Sequence, residues 1–134
     1  MDKVTIHEFD PVIYPFRLWV AVKPSYEQIT SEFGFIGSDG NEIAPTKEQF
    51  MPKSAIATTY YVYNKKDSRV GSIVLIWSKK ELSVDTIAHE STHVTDLLCD
   101  KTNVSGYNFE DGEARAYFTG WVAGCIDKVK RGKA

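Results

Sequence analysis

Long apolar runs are missing from this chain of 134 residues. The longest, residues 73–77, is far shorter than the roughly 20 residues a membrane-spanning helix needs. A targeting segment is not expected either, because Glu8 and Asp10 interrupt the first residues before a signal-length apolar core can form. Cysteine is scarce: Cys99 and Cys125 each sit inside an apolar helical pattern, which reads as buried reduced thiols, with a bridge between them as the alternative. Positive charge is not in excess. The formal net charge is −2, and the basic end Lys128, Lys130, Arg131 and Lys133 is short enough to be a solvated helix terminus. Neither a nucleic acid nor a membrane is therefore an expected partner, and the expected location is the cytoplasm.

What remains is ordinary globular composition, 43% hydrophobic and 25% charged, in a length that suits one domain with its own core. Residues 12–22 carry Tyr14, Phe16, Leu18, Val20 and Val22 at period two, the pattern of a strand, with Pro11 and Pro15 making its start irregular. Ser25 is placed to cap a short helix with Tyr26, Ile29 and Phe33 on its apolar side, ended by Gly34. Residues 37–41 are a turn, and residues 46–50 one helical turn stopped by Pro52. Residues 55–63 and 70–77 are β-branched and aromatic runs around a polar turn, which predicts a β-hairpin. The second run is almost continuously apolar, as in a strand covered on both faces. Asp85 or Ser83 caps a helix over 84–99, and after a loop a last helix covers 111–129. In that helix Gly120 and Gly124 remove bulk from one face, and a neighbouring helix is expected there.

The first of these two helices carries His89-Glu90-Ser91-Thr92-His93, the pattern H-E-x-x-H. Residues four apart lie on one helix face, so both imidazoles can serve one metal ion, with Zn²⁺ the best match to nitrogen ligands. Glu90 leans over the same point and suits the role of general base toward metal-bound water. A catalytic zinc usually has three protein ligands, and Glu113, in the first turn of the next helix, is the candidate for the third.

The motif followed by Glu113 within Asp111-Gly112-Glu113-Ala114-Arg115-Ala116-Tyr117 resembles the gluzincin pattern of zinc metallopeptidases. The short chain is more similar to the compact zincin-like proteins that bacteria and their phages encode, and the match covers about residues 70–125. The resemblance implies an α+β, minimal zincin-like domain: a small, mostly antiparallel sheet against the H-E-x-x-H helix and a Glu-bearing C-terminal helix. It implies His89, His93 and Glu113 as metal ligands, Glu90 as general base, and peptide-bond hydrolysis by attack of zinc-bound water on a peptide or protein substrate. Thermolysin-type enzymes carry Asp four residues after the ligand Glu; here that position is Tyr117. The acceptor for a ligand imidazole is then open between Tyr117, Asp96 and backbone carbonyls. Tyr107, Tyr117 and His7 are the candidates to stabilise a tetrahedral intermediate. The alternative is a non-catalytic or weakly active binding or assembly protein, of the kind a phage encodes, that keeps the metal site.

Overall fold

The computed structural model describes residues 2–50, 52–104, 110 and 112–134. Among them the chain forms β1 (Ile6–Phe9), β2 (Arg17–Val22), α1 (Tyr26–Glu32), β3 (Phe33–Ile36), β4 (Glu42–Ile43) and α2 (Lys47–Phe50). There follow β5 (Ala57–Asn64), β6 (Val70–Ile76), α3 (Val84–Thr102) and α4 (Glu113–Lys130). The class is α+β. The six strands make one sheet in the order β1-β2-β6-β5-β3-β4. It is mixed but mostly antiparallel, as expected: only β2 and β6 run parallel, with Arg17 opposite Gly71 and Val22 opposite Ile76. No helix among the described residues is long and apolar enough to cross a membrane.

The alternation expected of strands sorts their side chains into two cores. Leu18, Val20, Val74 and Ile76 face α3 and α4, where they meet Ile87, Val94, Leu98, Val122 and Ile126. Their neighbours Trp19, Ala21, Ile73 and Leu75 face the opposite way, toward Ile29, Phe33, Phe35 and Phe50. Each face of the sheet is thus covered by helices, which is why β6 reads as a continuous apolar run. At about 25 cal/mol per Å² of apolar area, each such buried side chain contributes about 1.5–3 kcal/mol before entropy is counted. Cys99 and Cys125 are both buried and unbridged. Burial pushes the Cys125 thiol up to about 11, so it stays neutral at physiological pH.

The hairpin of β5 and β6 forms where the sequence places it, with Ala57 opposite Ile76 and Tyr63 opposite Val70. Ser25 caps α1 through a bond from the Gln28 amide to its hydroxyl at 3.0 Å. Other expectations fail for tertiary reasons. Residues 12 and 13 are exposed and irregular rather than strand, with Val12 at φ +71° and its amide on the Asp10 carboxylate, so the strand starts only at Arg17. Gly34 does not end α1 but lies inside β3, where a Cβ would run into the Tyr63 ring. Around Gly120 and Gly124 a Cβ would meet nothing, so no helix among the described residues packs on them. The face α4 buries is instead Phe118, Val122, Cys125, Ile126 and Val129.

Candidate metal centre

α3 takes its shape from a simple division of labour among its side chains. Ile87, Ser91, Val94, Leu98 and Cys99 are buried, and Asn103 stops the helix in a left-handed conformation with its amide on the Cys99 carbonyl. At the entrance the Ser83 hydroxyl bonds Asp85, which holds that carboxyl below its usual range and places negative charge at the helix's positive end. Four-residue spacing then sets His89 and His93 side by side on the face that looks into a groove between α3 and β5. The groove has a volume of about 870 Å³ and is lined by Thr59, Tyr60, Tyr61, His89, Glu90 and His93, among others.

The two Nε2 atoms lie 3.1 Å apart, with the rings near perpendicular at 83°. At that distance at least one Nε2 must lack a proton and present its lone pair. Two nitrogens about 2.0–2.1 Å from a tetrahedral zinc stand about 3.3 Å from each other, so the pair fits two positions on one ion. Glu90 has a different environment. It is 6% exposed, its Oε2 is 3.9 Å from His89 Nε2, and its Oε1 accepts from the Thr59 hydroxyl at 2.7 Å. A buried carboxylate needs such a donor, because leaving it unbonded costs more than the bond is worth in water. The sequence placed Glu90 over the site; it carried no sign of Thr59, which stands 31 residues away and is brought in by the sheet. Tyr60 lines the same groove, but its hydroxyl donates away from it, to the Gln49 carbonyl at 3.2 Å. Burial, with the nearby Glu90 charge as a smaller contribution, raises its phenol above the ordinary value.

The remaining candidates are not gathered here. Glu113 is exposed on the first turn of α4, and among the described residues no group of three or more His, Cys, Asp or Glu side chains is set to hold a metal ion. The reason is the length of α3. It runs on to Thr102, nine residues or about 13 Å past His93, before the chain turns back. The two helices therefore meet as Thr95 with Thr119, at 2.7 Å, and Asp96 with Arg115, at 2.6 Å, and the first turn of α4 lies beyond. Asp96, on the groove side of α3, is thus half of an ion pair. Tyr117 is 76% exposed and lines a separate apolar depression with Ile13, Tyr14 and Trp121. His7 is on β1, at the edge of the sheet with β2 and β6 between it and β5. Tyr107 lies outside the described residues.

One property of the groove was open in the sequence, namely which hairpin strand offers an edge. β6 is interior, between β2 and β5. β5 pairs with β6 along residues 57–63, but with β3 only at Val62, Tyr63 and Asn64. Among the described residues its second edge is bare over residues 57–60, beside the two histidines, and Tyr61 lies opposite Ile36 at the end of β3. Comparison with protein-family models, with curated proteins and with solved structures finds no match to this chain.

Proposed function

We propose that this chain is a zinc-dependent peptide hydrolase with a minimal zincin-like fold. The observation that carries the reading is the union of three features at one point: two imidazole nitrogens 3.1 Å apart, a buried carboxylate beside them, and an unpaired strand edge. His89 and His93 would hold the ion, and the sequence pattern assigns the third ligand to Glu113. A zinc ion supplies Lewis acidity toward a carbonyl oxygen and brings the pKa of water toward neutrality. Glu90, held at Oε1 by Thr59, leaves Oε2 to take the proton of the attacking water and to return it to the leaving amine nitrogen. The bare edge of β5 would receive the substrate as an added strand. Backbone bonds then supply affinity with little dependence on side chains.

A second reading, a binding protein that keeps the groove without hydrolysis, is favoured by a specific placement: Glu113 and Tyr117 both point to solvent rather than into the groove. One set of measurements separates the two. Zinc content is measured on the wild type and on His93→Ala, Glu113→Ala and Asp96→Ala, and hydrolysis of a peptide panel on the wild type and Glu90→Gln. Stoichiometric zinc lost in His93→Ala, with hydrolysis falling about 10²–10⁴-fold in Glu90→Gln, supports the hydrolase. Zinc retained in Glu113→Ala and lost in Asp96→Ala would move the third ligand to α3. Zinc held with no peptide cleaved supports the binding protein.

A further inference from the structure

The bare edge of β5 is closed at one end. β3 lies on the same side of β5 and runs antiparallel to it, and their last paired residues are Phe35 and Val62. Immediately beyond, the chain turns back into β4 through residues 37–41, with the Gly37 amide bonded to the Asn41 carbonyl at 2.8 Å. Ile36, Gly37 and Ser38 line the groove at that end. At the other end the groove continues past Ala57 toward Ser54, Asp85 and Thr86, which line an adjoining depression with His89 and Glu90. An added strand therefore lies in line with β3 and meets the end of β3 head-on.

The backbone alternation says which groups it would meet. The Ile56 carbonyl accepts from Trp77 on the β6 side, and the Lys65 amide donates to the Glu32 carbonyl on the β3 side. Successive residues of a strand alternate their bonding sides, so Ala57 and Thr59 turn their amides and carbonyls to the bare edge, and Tyr61, on the same side, stands where β3 ends. The reacting bond must come within hydrogen-bond reach of Glu90, whose carboxylate is tied to Thr59. From Thr59 to Tyr61 there are two strand steps, about 7 Å, before the line of β3 begins.

Both established neighbours of β5 are antiparallel to it. A guest in the line of β3 with the same polarity starts opposite Tyr60 and proceeds toward Ala57, so its amino terminus abuts residues 36–38. We infer that the groove takes peptides by the amino-terminal end, with room for about two residues on that side of the reacting bond and open space on the other. The substrate class is thus a short amino-terminal segment rather than the middle of a long strand. The acidic groups at the closed end are engaged: Asp100 pairs with the Lys101 ammonium at 3.3 Å, Lys101 also leans over the Tyr61 ring, and Asp96 is held by Arg115. The identity of the reacting bond rests on the peptide-hydrolase reading above.

The test is a series of peptides identical on the carboxyl side of one bond and carrying one, two, four or eight residues on its amino side. Binding is followed on Glu90→Gln protein, with and without zinc, through the backbone amide shifts of Ala57 and Thr59, and cleavage on the zinc-loaded wild type. The expected result is saturable shifts with one or two residues, and at least tenfold weaker binding and cleavage with four or eight. Equal binding of the long members, a length limit on the carboxyl side instead, or no shift at those two amides with any peptide would each overturn the inference. Short peptides that bind at β5 and are not cut leave the inference standing and remove the hydrolase reading. Cleavage in the middle of long peptides does the reverse.

Discussion

β5 is one strand with two fates. Its last three residues, Val62, Tyr63 and Asn64, are held between β6 and β3, while among the described residues positions 57–60 are held on the β6 side alone. The local sequence does not distinguish them: Thr-Thr-Tyr-Tyr and Val-Tyr are equally good strand formers. The difference comes from β3, which is four residues long and turns away after Ile36. Where β3 stops, the backbone loses partners, and α3 brings His89, Glu90 and His93 to that same gap. A structural strand becomes a candidate binding surface through the shortness of its neighbour.

Four experiments would break or sharpen that contrast. The largest effect belongs to the closed half, where Gly71 sits opposite Val62 and across from Arg17. A Cβ there would lie 2.0 Å from the Arg17 carbonyl oxygen, so strands β2 and β6 would have to part. Gly71→Ala should cost about 3 kcal/mol in urea unfolding, the upper end for overpacking. A loss below about 0.5 kcal/mol would mean the parallel pair is looser than its register implies. Next, amide hydrogen exchange reads the two halves directly. The amides of Ala57 and Thr59 should exchange about a hundredfold faster than that of Tyr63, which shares their alternation but faces β3. Equal protection would show that something already pairs with the edge.

Thr59→Val comes third. It removes the donor to Glu90 Oε1 while keeping the side-chain shape, and hydrogen bonds to charged groups are worth about 1.5–3 kcal/mol. About a tenfold fall in kcat is expected with KM little changed and with recovery in Thr59→Ser; a fall in KM-linked binding alone would assign Thr59 to the substrate edge instead. The smallest effect is Lys101→Ala, which deletes the ammonium 5.1 Å from the Tyr61 ring centroid. A stability change of about 0.5 kcal/mol is expected, and a change above about 1.5 kcal/mol would show that the closed end depends on this residue.

Much of this molecule was legible in its residues because it depends on local spacing. The β5–β6 hairpin follows from two β-branched runs around Asn64 to Ser68, and the α1 cap from Ser25. The pairing of His89 with His93 follows from helical pitch alone, whatever surrounds it. Errors occurred where a distant partner overrode the local signal. Gly34 looks like a helix stop, but it is the residue that lets the Tyr63 ring lie across β3. Gly120 and Gly124 look like a contact face and are open to solvent. Glu113 is a separate case: it remains the third ligand of the sequence pattern, and the length of α3 sets the first turn of α4 beyond the contact of Thr95 with Thr119.

The sequence by itself therefore determined the β5–β6 hairpin, the α1 cap, the two long helices and the imidazole pair, since each arises from local backbone geometry. Tertiary structure alone decided that β2 and β6 are parallel, that Thr59 anchors Glu90, and that β5 has a bare edge closed on one side. Each of those joins residues far apart in the chain. Such contacts are selected by the packing of whole layers, and no local pattern encodes them.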